Sequence, residues 1–159
     1  MRLRELDGPL PLSRAAAIAA GAHAFRARWH TEWAASSRSR RLAQFDSTKP
    51  SGLVARMYED LTRPQCSVLT QLRTTHIGLN AYLFRFHLAP SPDCPLCLVP
   101  ETVPHYLLTC PRFRRERLTL ILRIGTARLS LRRLLAAKSD HGPVLSFVRD
   151  TDRLPRYAL

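Results

Sequence analysis

Apolar residues recur along most of this chain at spacings of three and four, the period of a helix with one buried face. Ser13 stands where a helix cap is needed. Behind it Ile18, Ala22, Phe25, Trp29 and Trp33 form a stripe that predicts an inward face carrying both tryptophans. Leu53, Val54, Met57, Tyr58 and Leu61 predict a second helix from about Ser51 to Leu61. Thr62-Arg63-Pro64-Gln65 is a capping box with proline in the first turn, and the helix it opens carries Cys66, Val68, Leu69 and Leu72. Leu79, Tyr82, Leu83 and Phe86 extend helical spacing over Gly78 to Phe86, until Pro90 and Pro92 end it. Phe113, Arg117, Leu118, Ile121 and Leu122 predict a further helix stopping near Gly125, with Phe113, Leu118 and Ile121 toward the core. Ser130 caps a short helix to Ala137, and Pro143 to Val148 forms the last. No stretch alternates as a strand would.

The expected fold is therefore mainly α, without significant sheet. Its organisation reads as an arm, helix and basic linker over residues 1–50, a helical domain over 51–150, and a tail over 151–159. Composition agrees. Leu and Ala supply 44 residues against 10 for Ile and Val together, which favours helices. A chain of 159 residues buries enough surface to fold without disulfides. The longest uncharged runs, Ala15 to Phe25 and Thr74 to Phe84, have 11 residues each and are too short to span a bilayer. Arg2 and Arg4 before an Ala-rich stretch look superficially like a targeting segment, but Glu5, Asp7, Gly8, Pro9 and Pro11 weigh against one. Four cysteines are too few for a secreted disulfide scaffold, so a reducing compartment, nucleus or cytoplasm, is expected.

The chemistry concentrates between Pro90 and Pro111. Cys94, Cys97, His105 and Cys110 have the spacing C-x2-C-x7-H-x4-C. Three thiolates and one imidazole make a closed tetrahedral set for zinc, leaving no open position, so the expected Zn2+ is structural. The x4 gap is expected to present His105 and Cys110 from a turn of helix, Pro104 to Thr109, and its exit. Cys94-Pro95-Leu96-Cys97 alone also fits a thioredoxin-like dithiol, which needs a preceding strand that is not evident. Cys66, 28 residues upstream on an apolar helix face, reads as a small buried hydrophobe.

Charge changes the picture again. The formal net charge is +13, carried by 23 arginines and 2 lysines. Residues 112–133 hold eight arginines and one acid, Glu116, directly after the cysteine module. Arg112, Arg114, Arg115 and Arg117 are the candidate phosphate contacts, set against the plain alternative of a solvated helix face. Arg38, Arg40 and Arg41 form a second cluster that equally fits a flexible tail or a nuclear address. Catalytic signals are missing. His76 has no carboxylate or nucleophile near it in sequence, and His23, His30, His87 and His141 stand alone. The acids show no close pair beyond Glu59-Asp60, so no two-metal carboxylate cage is visible. Neither phosphate-binding glycine motif occurs.

Cys66 to Leu83 (CSVLTQLRTTHIGLNAYL), with Ser91-Pro92-Asp93-Cys94 and Glu101 to Pro111 (ETVPHYLLTCP) behind it, resembles the C-terminal end of non-LTR (LINE-like) retrotransposon reverse transcriptase polyproteins. The resemblance spans roughly residues 25–150 and is most specific over 66–111. It implies a CCHC zinc knuckle with Cys94, Cys97, His105 and Cys110 as ligands. It also implies RNA or DNA as partner, or docking onto a reverse transcriptase or ribonuclease H domain. The family usually has glycine where Thr75 precedes His76, so this turn must be made differently here. The polymerase and ribonuclease H parts have no counterpart in these residues. The expectation is thus a zinc-stabilised nucleic-acid-binding tail without catalysis, a small-molecule substrate or a membrane. The alternative is a protein-interaction module.

Overall fold

A chain rich in leucine, alanine and arginine builds helices. In the computed structural model, which describes residues 13–43, 45 and 52–155, every regular element is helical. The described residues form α1 (Arg14–Ala35), α2 (Ser37–Leu42), α3 (Gly52–Tyr58), α4 (Arg63–Thr74), α5 (Asn80–Leu83), α6 (Arg114–Ile124), α7 (Leu131–Ala136) and α8 (Lys138–Asp150). The only β pairing among them is a single bridge between Asp93 and Pro100. No described helix is long and apolar enough to cross a membrane. The expected arm over 1–12, linker residues 44 and 46–51, and tail residues 156–159 lie outside the described set.

The chain divides into two compact units, residues 1–39 and 40–159. In the first, Ser13 caps α1 as expected, its side chain accepting the Ala16 N–H at 3.2 Å. The expected burial of the α1 stripe does not occur. No residue of α1 is buried; Ile18 is 63% exposed, Phe25 69% and Trp29 38%. Helical spacing predicts the stripe, but only a second apolar surface can bury it. What holds α1 is alanine propensity over 22 residues, helped little by the exposed Arg28–Glu32 pair at 2.8 Å.

The second unit begins inside the expected linker. Phe45 is buried, Leu42 packs against the core, and the Arg73 guanidinium lies 5.7 Å from the Phe45 ring centroid. The core is made by α4, α6, α7 and α8, whose buried residues include Val68, Leu69, Leu72, Leu120, Leu134, Leu135, Val144 and Val148. Each such side chain contributes about 1.5–3 kcal/mol by leaving water. Tyr106, Phe113 and Phe147 pack edge to face, with centroids 5.1, 5.3 and 6.4 Å apart.

Local signals set most boundaries. The Thr62 N–H donates to Gln65 Oε1 at 2.9 Å, so the capping box opens α4. Ser130 accepts the Arg133 N–H and caps α7, and Gly125, at φ 83°, ends α6. Thr75 takes the left-handed conformation itself, at φ 62°, where glycine is the easier residue. Three expectations need correction. The helix expected over Gly78 to Phe86 is one turn of α5 continued by a tight 3-10 turn, Phe84–Phe86. α8 starts at Lys138 rather than Pro143, with Asp140 in its first turn beside the positive helix end. Residues 151–155 are not a loose tail, since Leu154 is buried and Arg153 reaches back to Glu101.

Because α1 buries nothing, its amides should exchange with solvent at least about a hundredfold faster than those of α4 and α8. Amide hydrogen exchange on the whole chain measures this, and equal protection would mean that something covers the stripe.

Candidate metal centre

Residues 91–113 hold no helix longer than one turn, yet they are tightly folded. The Asp93–Pro100 bridge closes a narrow loop in which the Cys94 N–H donates to Val99 O at 2.8 Å and the Leu98 N–H returns to Cys94 O at 2.9 Å. Leu98 makes the turn at φ 55°. Cys94 and Cys97 are thereby held side by side. Beyond Pro104 the chain forms a single wide turn, His105–Thr109, closed by the Cys110 N–H donating to His105 O at 2.8 Å. The expected turn of helix is present, in the wider π form. In an α-helix, residues five apart stand about 140° apart around the axis, which would separate the two ligands. The wider turn brings residue 110 back over residue 105.

The four ligand atoms lie within 4.8 Å of one another. Cys94 Sγ is 3.8 Å from Cys110 Sγ, and Cys97 Sγ is 3.9 Å from it. Tetrahedral sulfurs about 2.3 Å from one ion stand about 3.8 Å apart, so the spacing suits a metal. His105 supplies a second test. Its Nε2 is buried and has no hydrogen-bond partner among the described residues. Its Nδ1 lies 3.2 Å from Thr109 Oγ1, and a proton donated there leaves the Nε2 lone pair free for an ion.

The thiols are unlike one another. Burial raises the Cys94 pKa, but the neighbouring His105 imidazole, the Leu96 and Cys97 amides and the Cys97 thiol outweigh it and bring it down to about 7. Burial and the neighbouring Cys94 and Cys110 thiols push Cys97 up to about 12. Sulfurs this close do not all ionise unaided, and a divalent cation at their centre removes the conflict.

Two arginines brace the loop. Arg117 is 7% exposed; its Nε donates to Leu107 O at 2.9 Å, and its Nη2 to Tyr106 O at 3.2 Å and Cys110 O at 2.8 Å. Burial presses its pKa below the ordinary guanidinium value. At the loop's other end Glu101, 2% exposed, accepts Arg153 Nε on Oε1 at 2.8 Å. Glu101 Oε2 takes Arg153 Nη2 together with the Asn80 N–H. Asn80 Nδ2 in turn donates to Asp93 O at 2.8 Å.

The predicted residues thus separate. Cys94, Cys97, His105 and Cys110 come together, and Cys66 stays apart, its thiol near Tyr58 O and Leu61 O. Arg112, Arg114 and Arg115 are exposed and form no ion pair among the described residues. Arg117 is not on that surface. The inward positions of α6 are Arg117, Leu120 and Ile124, continuing from Phe113, whereas Leu118 is 52% and Leu122 86% exposed. That four-three-four spacing is readable in the sequence, but an arginine on it reads as solvent-facing. Glu101 and Arg153 give no sequence signal. Thr109 gives one, four residues after a candidate ligand. Of the lone histidines, His23, His30 and His87 are exposed and His141 is buried, burial lowering its pKa. Among known proteins, no family model, curated protein or solved structure matches the chain.

Arg117→Ala should destabilise the fold by roughly 2–4 kcal/mol, because three buried carbonyls lose a charged donor. Arg114→Ala should change stability by about 0.5 kcal/mol or less. Denaturant melts of both variants check this, and equal small losses would contradict the bracing role.

Proposed function

We propose that the chain is a zinc-stabilised nucleic-acid-binding domain, resembling the tail of a retrotransposon reverse transcriptase and without catalysis of its own. Zinc is favoured by the Cys3His donor set, by the sulfur spacing and by the unpartnered His105 Nε2. With all four positions filled by protein, the ion orders the loop rather than activating a substrate. The observation that carries the nucleic-acid reading is the exposed cluster Arg112, Arg114 and Arg115, opening two residues after the last ligand with no acid paired to it among the described residues. Guanidinium forks suit phosphate oxygens. RNA or DNA is the partner this favours, through backbone contacts more than base reading.

A second reading, an assembly module that docks on a polymerase or ribonuclease H domain, is favoured by one observation. Ile18, Phe25 and Trp29 expose an apolar stripe along α1.

One zinc per chain should copurify, and Cys97→Ser or His105→Ala should abolish it and lower the melting temperature. Cys97 holds its proton up to about 12 without metal, so binding at neutral pH must displace it. The logarithm of zinc affinity should therefore rise by at least about one for each pH unit between 7 and 9. It should fall more steeply below 7, where Cys94 also takes a proton. Competition with a chromophoric chelator reads both, and a flat profile would exclude thiolate ligation.

An Arg112→Ala, Arg114→Ala, Arg115→Ala variant should flatten the slope of log affinity against log salt by about 0.7–0.9 for each phosphate it no longer neutralises. Titration with RNA and DNA oligonucleotides at several salt concentrations measures it. No binding by wild type at low salt would favour the docking module instead.

A further inference from the structure

The turn between α4 and α5 builds a feature that the metal centre does not use. Thr75, β-branched and at φ 62°, reverses the chain after α4 and delivers His76 to the surface. The His76 ring lies on Tyr82, with centroids 5.2 Å apart and planes 27° from parallel. Tyr82 meets Phe86 at 5.1 Å and 58°. His76 is exposed and Phe86 is 56% exposed, so this three-ring ladder faces water and is not core packing. Residues held in sparsely populated backbone conformations cluster at binding sites.

Tyr82 also lines a groove of about 230 Å³. Its lining runs from buried Leu79 through half-buried Thr75 and Tyr82 to exposed Arg85, Thr102 and Pro104. That volume is below the ~300 Å³ at which sites for drug-sized molecules begin, and it suits one flat ring system. The threonine hydroxyls donate and accept, as the edge of a base requires. Arg85 makes no ion pair among the described residues and is free for a phosphate. Glu101 also lines the groove, but its two oxygens are occupied by Arg153 and Asn80, so no unpaired negative charge opposes a polyanion there.

We propose that the His76–Tyr82–Phe86 ladder and its groove bind an unpaired base of single-stranded RNA or DNA, with Arg85 on the adjoining phosphate. The proposal rests on the nucleic-acid reading above and adds strand selectivity to it. Stacking accepts every base because every base has a π face, whereas a paired base keeps its faces within the duplex. The arginines after Cys110 supply charge to either form. The ladder supplies the preference for single strands.

The test uses the full zinc-loaded chain and labelled 12-nucleotide strands of RNA and DNA, each also as a duplex and as an abasic strand. The His76→Ala, Phe86→Ala double variant removes two exposed rings and spares the core. It should bind single strands at least about fivefold more weakly, with duplex affinity and salt slope unchanged, since stacking releases no counterions. The abasic strand, which keeps its phosphates, should bind wild type as weakly as the intact strand binds the variant. Comparing RNA with DNA shows which sugar is preferred. Wild-type affinity for intact single strands in the double variant, or equal binding of abasic and intact strands, would overturn the ladder while leaving the charged surface standing. Failure of wild type to bind any strand would overturn both.

Discussion

A segment of more than twenty residues with no helix longer than one turn must find partners for its backbone polar groups, and the second unit is arranged around that requirement. Between Pro90 and Phe113 the carbonyls of Tyr106, Leu107 and Cys110 converge on one buried side chain. Arg117 reaches all three because its donors form a rigid fork, which a lysine could not reproduce. At the other end the Arg153–Glu101–Asn80 network ties the loop to the start of α5 and to the last turns of the chain. Between these braces a metal would supply the remaining order, on the order of 10 kcal/mol in small zinc peptides.

This arrangement changes the meaning of the charge. An excess of +13 reads first as a demand for a polyanion. Arg73, however, is buried with its Nη1 on Leu135 O, Arg117 is buried against the cysteine loop, and Arg153 is paired with buried Glu101. A buried guanidinium left unpaired costs several kcal/mol, so these three are set by internal partners before any ligand is considered. The charge left over for a partner is the remainder, which after Cys110 includes the exposed Arg112, Arg114, Arg115, Arg123, Arg132 and Arg133.

The parts legible in the sequence are those fixed by neighbours a few residues away. The Thr62 capping box, the Ser13 and Ser130 caps, the stop at Gly125 and the four-ligand spacing all depend on local geometry, and all hold. What is not legible depends on what lies opposite. The α1 stripe has helical period, but no residue of α1 is buried. The phase of α6 is set by Phe113 entering the aromatic cluster with Tyr106 and Phe147, which turns Leu118 outward and Arg117 inward. Pro143 reads as a helix start, yet the chain enters α8 five residues earlier, where Asp140 favours the helix end. The π turn at His105 depends on hydrogen bonds that no side-chain pattern encodes.

Thr75 joins these threads. Glycine at this turn would relieve a left-handed conformation that costs a β-branched residue roughly 1–2 kcal/mol. The chain instead keeps a hydroxyl beside the groove and an imidazole stacked on Tyr82. Across the groove, Thr102 lines the same space and accepts the His105 N–H at 3.4 Å. One wall of the groove is therefore the backbone that positions the histidine ligand. A metal that ordered His105 would also order Thr102 and Pro104, so the shape of the proposed groove would depend on the ion. A closed tetrahedral site needs no chemistry of its own to matter to a neighbouring groove, because filling it would fix one wall of that groove.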